Sequence, residues 1–230
     1  MKIIIERYHK DKNHQNLSET YDIPLQSPTL LEALNYIKEN IDNSLTYSSG
    51  CRSSVCGSCG VSVNGKPTLA CAYKVQDNDT IAPMRYFEVL KDLVVDHKNA
   101  QKTLVNSKSY STPQEQTPTV SQSQEKLNEL QSDCILCGIC YSACPVYETS
   151  PLFLGPFALT RSWRYVSDPR DSAQNEKINT IQTRGVWDCT LCGECSLVCP
   201  QGISSKDDII KLRTKSAQAG YSDPTFTSMF

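Results

Sequence analysis

The sequence has no excess of charge of either sign. Lys and Arg total 23 against 25 for Asp and Glu, which gives a formal net charge of −2 at pH 7. Both signs are spread evenly along the chain, so there is no basic stripe of the kind that binds nucleic acid and no acidic tail. We therefore expect no nucleic-acid partner.

Long apolar runs are also missing. A membrane-spanning helix needs roughly 18–20 consecutive apolar residues, and no stretch of this sequence approaches that length. The apolar segment Ile3–Ile5 near the start is too short for a signal peptide, and no small-residue cleavage site follows it. The sequence thus predicts no transmembrane segment and no export signal of its own, although it can still dock on a membrane partner.

Histidine is scarce, whereas cysteine is abundant. His9, His14 and His97 are each isolated in polar surroundings, which is typical of surface positions. The 230 residues include twelve cysteines, which fall into three tight groups with none left over. In a chain without a secretory signal, so many thiols favour metal binding over disulfides.

Residues 1–97 are predicted to form a mixed strand-and-helix domain. Thr29–Glu32 resembles a capping box that opens a helix, and Asn64–Gly65 indicates a hairpin turn that requires positive φ. The predicted helix has apolar residues at helical spacing along one face: Leu30, Leu31, Leu34, Ile37 and Ile41.

The rest of the chain is predicted to be a linker and a helical domain. Residues 98–128 are predicted to be a polar linker, because Ser107–Gln124 is rich in Ser, Thr, Gln and Pro and has too few large apolar residues to order itself. Residues 129–230 predict a helical domain, with one helix over Gly155–Val166 that has Pro156 in its first turn.

The first cysteine group has the spacing C-x4-C-x2-C followed by one later cysteine: Cys51, Cys56, Cys59 and Cys71. This is the plant-type spacing for a [2Fe–2S] cluster. One short loop must wrap the cluster with its backbone N–H groups directed at sulfur, and we expect Gly57 and Gly60 to permit that close approach. The alternative is a zinc site that uses the C-x2-C pair, in which the x4 spacing and the glycines would serve no purpose.

Two later runs, Cys134–Pro145 and Cys189–Pro200, repeat the pattern C-x2-C-x2-C-x3-C-P. This duplication is typical of two-cluster ferredoxins, in which the fourth cysteine of each run ligates the other cluster. We therefore predict one centre on Cys134, Cys137, Cys140 and Cys199. The other centre is predicted on Cys144, Cys189, Cys192 and Cys195. Disulfides are the alternative, but cysteines three residues apart would need strained geometry.

Several segments together resemble the iron–sulfur subunit of succinate dehydrogenase and fumarate reductase: Cys51–Gly60, Asn64–Pro67, Leu69–Cys71, Leu90–Asp96, Cys134–Cys140, Leu154–Pro156 and Asp168–Asp171. Gly185–Thr190 is more similar to the fumarate reductase branch. The resemblance implies an α+β fold, with an N-terminal plant-type [2Fe–2S] ferredoxin domain of the β-grasp type before an all-α, bacterial-type two-cluster ferredoxin domain.

The resemblance also implies a role. The family's FAD-containing subunit interconverts succinate and fumarate, and electrons pass singly through [2Fe–2S], [4Fe–4S] and a third cluster to a membrane quinone site. This chain is expected to carry the electrons and to have no substrate-converting site. The alternatives are a free-standing ferredoxin-type carrier, or the iron–sulfur subunit of a glycolate oxidase, glycerol-3-phosphate oxidase or heterodisulfide reductase-like complex. The Cys51 group argues against the last three.

Two departures from the family pattern refine this expectation. Most members hold a [3Fe–4S] third cluster because the position of Cys192 is not cysteine, so Cys192 implies a third [4Fe–4S] cluster of lower potential. The alternative is [3Fe–4S] with Cys192 as a spectator. Glu148, Thr149 and Thr190 stand where the ubiquinone branch has a tryptophan pair and a histidine. Both departures resemble a subfamily outside the usual type, which includes methylmenaquinol:fumarate reductases.

In that subfamily the membrane-side partner is a cysteine-rich subunit linked to quinone or menaquinol, and here we expect it to be a separate polypeptide. The expected location is peripheral, on the cytoplasmic face of the inner membrane. The alternative is the periplasmic face, reached by export together with a partner that carries a signal.

Overall fold

The computed structural model of the chain describes residues 1–8, 16–116 and 118–224. The chain divides into two compact units. The first consists of Met1–His97 and Ile135–Ala143, and the second of Lys98–Cys134 and Cys144–Phe230. The predicted domain boundaries stay a prediction. The first unit includes one segment, Ile135–Ala143, from near the start of the predicted helical domain.

A five-stranded sheet forms the core of the first unit. Its strands are β1 (Lys2–Tyr8), β2 (Asn16–Asp22), β3 (Gly60–Val63), β4 (Lys66–Leu69) and β5 (Asp79–Ala82). They lie in the order β2-β1-β5-β3-β4, with β1 and β5 parallel and the other neighbours antiparallel. Ile3, Ile5 and Arg7 alternate along β1 and are buried, as the two-residue period of a strand requires.

The helices, in chain order, are α1 (Leu30–Asn40), α2 (Lys98–Asn106), α3 (Gln122–Glu125), α4 (Glu129–Ser132), α5 (Ile139–Ala143), α6 (Gly155–Val166), α7 (Gln174–Thr180), α8 (Glu194–Leu197) and α9 (Ser205–Gln218). Helices α1 and α5 belong to the first unit, and α6 packs against α9 in the second. Helix α6 has the predicted bounds. In the described ranges, no helix is both long enough and apolar enough to cross a membrane.

The predicted start of α1 is confirmed. The Thr29 hydroxyl accepts a hydrogen bond from the Glu32 N–H (3.2 Å), and the Glu32 carboxylate accepts one from the Thr29 N–H (2.6 Å). Of the five residues predicted to face the core, Ile41 is the exception, because it follows the last helical residue and is 50% exposed. The hairpin is also confirmed: Asn64 (φ 50°) and Gly65 (φ 78°) form the turn between β3 and β4.

A second antiparallel pair, β6 (Glu88–Lys91) and β7 (Val94–Asp96), carries a buried carboxylate in its turn. Asp92 accepts hydrogen bonds from Arg7 Nε (2.9 Å) and from the Thr46 N–H (2.8 Å). Arg7 also pairs with Asp42. Burial disfavours the charged guanidinium, but the hydrogen bonds to Asp92 and Asp42 outweigh it and raise the pKa of Arg7. This ion cluster fixes the chain that leads into the first cysteine group.

The described part of the predicted polar linker is more ordered than expected, because it contains α2 and α3 and is hydrogen-bonded within the second unit. Ser109 is buried, and its hydroxyl lies 2.9 Å from both the Ala158 carbonyl and the Ser162 hydroxyl. The Thr112 N–H donates to Asp171 at 2.9 Å. The expectation considered apolar burial alone, whereas these polar contacts supply the order.

The predicted surface position of one of the three histidines is wrong. His97 is half-buried, and its ring lies 4.9 Å from that of Phe87, which in turn lies 4.8 Å from that of Tyr141. Burial lowers the pKa of His97. The other two, His9 and His14, lie outside the described residues.

Candidate functional site

The first cysteine group lies in the loop before β3, and Cys71 follows β4. Three backbone N–H groups of this loop converge on Cys51 Sγ: those of Ser53 (3.4 Å), Val55 (3.3 Å) and Cys56 (3.2 Å). These groups are directed at sulfur, as the wrapping of a cluster requires. The observation fits the predicted [2Fe–2S] site.

Further donors surround the neighbouring sulfurs. Cys56 Sγ accepts from the Cys51 N–H (3.3 Å) and from the Ser58 hydroxyl (3.2 Å). Cys71 Sγ accepts from the Ser54 N–H at 3.3 Å. Ser54 has φ 60°, in the left-handed region that non-glycine residues rarely adopt. The loop therefore keeps an uncommon backbone conformation that turns its amides toward the sulfurs.

The hydrogen bonds and the burial act on these thiols in opposite directions. The N–H of Ser53 makes the largest contribution to lowering the pKa of Cys51, to about 6. The N–H of Cys51 likewise lowers the pKa of Cys56. Burial instead raises the pKa of Cys59 to about 11. The pKa values of the exposed thiols of the loop are thus shifted toward the thiolate, the form that binds metal.

The glycines of this loop do not all act as predicted. A Cβ on Gly57, which has φ 73°, would lie 2.7 Å from Cys137 Cβ, so this glycine lets the loop contact the second cysteine run within the first unit. A Cβ on Gly60 would meet Met84 Sδ at 2.8 Å, not a cysteine sulfur. Gly50, which the sequence analysis missed, is the glycine beside sulfur: its Cβ would lie 2.9 Å from Cys56 Sγ.

The predicted internal repeat is visible in the backbone. Leu136 (φ 56°) and Gly138 (φ 76°) flank the second cysteine of one run, and Leu191 (φ 57°) and Gly193 (φ 87°) flank that of the other. Helices α5 and α8 each begin one residue further on. Cys192 therefore has the same local backbone setting as its counterpart in the first run.

Four predicted ligands line one cavity within the second unit, which encloses about 300 Å³ including the space open to solvent: Cys144, Cys189, Cys192 and Cys195. In the described ranges, no three or more His, Cys, Asp or Glu side chains are placed to hold a single metal ion. The four thiols instead share the cavity wall with Pro156 and Lys206. Four thiols around a common space are the donor set of a [4Fe–4S] cluster.

Burial dominates the electrostatics of this cavity. It raises the pKa of Cys144 to about 11 and that of Cys195 to about 12, and it also raises the pKa of Cys189. The Leu191 N–H donates to Cys189 Sγ at 3.4 Å. Because metal-bound cysteine is deprotonated, loading this cavity must release the protons that burial retains.

The four remaining cysteines are all half-buried. Cys137 and Cys140 belong to the first unit, and Cys134 and Cys199 to the second. Their joint ligation of one cluster stays a prediction.

Sequence analysis also did not predict the contacts that α9 makes. Arg213 donates hydrogen bonds to backbone carbonyls located 24 to 27 residues earlier in the chain, at Val186, Trp187 and Cys189. No local pattern in the sequence could indicate contacts over that separation.

Comparisons with known proteins identify two iron–sulfur domains in the chain. Residues 2–102 match the family model of a 2Fe-2S iron-sulfur cluster binding domain, and residues 130–203 match that of a 4Fe-4S dicluster domain. The chain is 35% identical to the fumarate reductase iron-sulfur subunit of Haemophilus influenzae, over 95% of this chain and 93% of that protein.

Two further similarities extend the comparison. The chain is 32% identical to the 8-methylmenaquinol:fumarate reductase iron-sulfur subunit of Wolinella succinogenes, over 96% of this chain and 74% of that protein. Among solved structures, its fold is similar to a chain of the Mycobacterium smegmatis Sdh1 complex in the apo form, with a TM-score of 0.84 at 22% identity over 96% of this chain and 97% of that one.

Proposed function

The chain belongs to the family of iron–sulfur subunits of succinate dehydrogenase and fumarate reductase, and we propose how its twelve cysteines serve the electron transfer of that family. It is an electron-transfer subunit of an oxidoreductase complex, with a [2Fe–2S] domain before a [4Fe–4S] dicluster domain. When bound, such clusters accept and release one electron at a time. The contribution of the chain is to hold them and to exclude water from them.

The proposed ligands are those predicted from the spacing. The [2Fe–2S] cluster is held by Cys51, Cys56, Cys59 and Cys71. The first [4Fe–4S] cluster is held by Cys134, Cys137, Cys140 and Cys199. The third cluster is held by Cys144, Cys189, Cys192 and Cys195. The convergence of N–H donors on Cys51 Sγ supports the first set, and the shared cavity supports the third.

The third cluster is proposed to be [4Fe–4S]. The observation that supports this is the similar backbone of the two runs: Cys192 lies between Leu191 and Gly193, which are both in the left-handed region, as are the residues on either side of Cys137. A thiol at the cavity wall in the ligand position of a repeat is placed to retain a fourth iron. The extra thiolate lowers the potential relative to a three-iron centre.

A test compares the wild-type complex with Cys192→Ser and the matched control Leu197→Ala. Leu197 is a neighbour that is 80% exposed and supplies no sulfur. The samples are purified anaerobically, and EPR is recorded oxidised and reduced, with iron and acid-labile sulfide counted on the same material. Wild type and control should be EPR-silent when oxidised, whereas Cys192→Ser should show the near-isotropic signal of [3Fe–4S]. That signal at equal strength in all three samples would make Cys192 a spectator.

Subunits of this family are peripheral membrane-associated proteins that work with a flavoprotein and a membrane anchor. We propose that the membrane-side partner of this chain is a separate cysteine-rich subunit linked to menaquinol or another quinone. The similarity to the Wolinella succinogenes protein supports this. So does Thr190, which is exposed within the run Cys189–Pro200 at the position where the ubiquinone branch has histidine. Purification through a tag on this chain, followed by mass spectrometry, tests it. A haem-bearing helical anchor as the membrane partner would contradict it.

The proposed location is the cytoplasmic face of the inner membrane. All twelve cysteines are free of disulfides, which fits a reducing compartment. Protease treatment of sealed spheroplasts should leave the chain intact, and treatment of inverted vesicles should degrade it. The reverse result would place it on the periplasmic face.

A further inference from the structure

The side chain of Arg213 reaches from α9 to the segment that ends at the first cysteine of the third-cluster run. Its Nε donates to the Val186 carbonyl at 2.8 Å, and its Nη2 donates to the carbonyls of Trp187 (3.2 Å) and Cys189 (2.7 Å). One guanidinium therefore holds three backbone carbonyls within four residues. The side chain is half-buried, so these hydrogen bonds compete only partly with water.

The same helix holds this segment at a second point. The Trp187 indole N–H donates to Gln182 Oε1 at 2.8 Å, and Gln182 Nε2 donates to the Ser216 hydroxyl of α9 at 2.8 Å. The guanidinium of Arg213 also lies over the Trp187 ring, 5.5 Å from its centroid. The contacts at Arg213 and Ser216, three residues apart on α9, fix both the position and the orientation of the segment.

Only arginine can make this set of contacts. Its planar guanidinium presents five N–H donors in a rigid fork and stays charged at every physiological pH, whereas lysine places one compact ammonium at the end of a flexible chain. These hydrogen bonds fix the backbone at the start of the cysteine run, so they restrict the positions of the residues from Cys189 to Cys192. The fork also places a positive charge against the carbonyl of Cys189.

We propose that Arg213 is a positioning residue for the third cluster: it clamps the carbonyls of Val186, Trp187 and Cys189 so that the cysteine run faces its cavity, and its charge raises the potential of that cluster. This inference rests on the proposed assignment of Cys144, Cys189, Cys192 and Cys195 to the third cluster. The clamp and the charge are separable, since lysine keeps the charge and loses the fork, and glutamine loses the charge.

The experiment uses the intact complex with Arg213→Lys, Arg213→Gln and the matched control Lys215→Gln, which removes one exposed positive charge from the same helix. EPR-monitored redox titration gives the midpoint potential of each cluster, and iron is counted per chain. Hydrogen exchange measures the opening of the amides from 186 to 191. The [2Fe–2S] signal, which comes from the other unit, is the internal reference.

Arg213→Gln should shift the third-cluster potential to more negative values and leave the [2Fe–2S] potential unchanged. Arg213→Lys should return the potential toward the wild-type value. In both variants the amides from 186 to 191 should exchange faster than in wild type and in Lys215→Gln. If both Arg213 variants match the control in potential and in exchange, the proposal is wrong.

If Arg213→Gln fails to assemble, Arg213→Lys still tests the clamp through its exchange rates. A wild-type complex that lacks a third-cluster signal would contradict the proposed function instead, and this result is distinct from the failure of the clamp.

Discussion

In the loop around Cys51 the residues Cys51 and Cys56 are exposed and their sulfurs accept from N–H donors, whereas in the cavity of the second unit Cys144 and Cys195 are buried. The pKa values differ accordingly, at about 6 for Cys51 and about 12 for Cys195. The exposed sulfurs of the first site, on Cys51 and Cys56, are shifted toward thiolate before any metal arrives, whereas burial shifts Cys59 the other way. The buried sulfurs of the second site, on Cys144 and Cys195, favour the protonated thiol. Helix α9 holds the segment that leads into this site through hydrogen bonds from Arg213.

The contrast shows that one chain can surround its cysteine sulfurs in two ways, by hydrogen bonding or by burial. Hydrogen bonds to sulfur depend on the backbone of a single loop and tolerate exposure. Burial depends on elements far apart in the sequence and excludes water from the cluster. The predictions below disturb one arrangement at a time.

The largest effect is expected from loosening the chain that leads into the exposed loop. Asp92→Ala removes the buried partner of Arg7 and the acceptor of the Thr46 N–H. Removing one partner of a buried ion pair typically costs about 3–5 kcal/mol. Because Arg7 keeps its pairing with Asp42, the free energy of unfolding should fall by an amount toward the lower end of that range, and the [2Fe–2S] signal should be lost. Urea unfolding and EPR check it against Glu88→Ala, an exposed residue of the same hairpin. Equal behaviour of the two variants would contradict the anchoring role.

The next effect concerns the contact between the exposed loop and the second cysteine run. In Gly57→Ala the new Cβ would lie 2.7 Å from Cys137 Cβ and 2.9 Å from its Cα, at φ 73°. We expect a penalty of about 1–2 kcal/mol for the left-handed backbone and about 1–3 kcal/mol for overpacking, with loss of most [2Fe–2S] signal. Gly65→Ala isolates the first term, because it has φ 78° and nothing within 4 Å. A signal that survives Gly57→Ala as well as it survives Gly65→Ala would rule out the steric reason.

The buried interior of the second unit can be probed through the titration of Asp208, which lies on α9. This carboxylate is fully buried, accepts from Gln131 Nε2 at 2.7 Å, and has no hydrogen-bond partner for Oδ2 among the described residues. Burial raises the pKa of Asp208 to about 6, so folding favours protonation of this carboxylate relative to the unfolded chain. The stability it contributes is full below the ordinary pKa near 4 and is lost as pH rises through about 6.

Unfolding of wild type and Asp208→Asn at pH 4 and pH 8 tests this. Wild type should lose about 2–3 kcal/mol relative to Asp208→Asn between the two pH values. Asp207→Asn, an exposed neighbour, should behave as wild type. Parallel curves for wild type and Asp208→Asn would show that Asp208 does not titrate in this range.

The smallest effect should come from one hydrogen bond to sulfur. Ser58→Ala removes the hydroxyl that donates to Cys56 Sγ at 3.2 Å, and such bonds raise cluster potentials. The [2Fe–2S] potential should become slightly more negative, by less than about 1.5 kcal/mol of reduction free energy, with the third cluster unaffected. Redox titration beside Ser123→Ala, an exposed hydroxyl bonded to Ser121, measures the difference. An unchanged potential would mean that backbone donors alone set it.

Local signals in the sequence were reliable. The capping box at Thr29, the turn at Asn64–Gly65 and the repeat around Cys137 and Cys192 are each encoded within a few residues, and the structure has all of them. These features depend on backbone conformation, which neighbouring residues determine.

Long-range features were not predictable in the same way. The order of residues 98–128 comes from hydrogen bonds such as that of Ser109 to Ala158, 49 residues away. The half-buried position of His97 depends on Phe87, and the close approach at Gly57 depends on Cys137. No pattern in the sequence indicates either pair of contacting residues. The sequence therefore predicts which residues form each site better than it predicts what holds that site in place.

The first unit has a consequence for synthesis on the ribosome, because its segments are not contiguous. The Ser142 hydroxyl accepts a hydrogen bond from the Arg85 N–H at 2.9 Å, and Tyr141 packs on Phe87. A nascent chain that has emerged only as far as His97 lacks both contacts, so its hydrophobic surface around Phe87 stays open while the next stretch is translated. The first unit cannot be completed until Ile135–Ala143 has been synthesised. The nascent chain is most prone to aggregation during this interval.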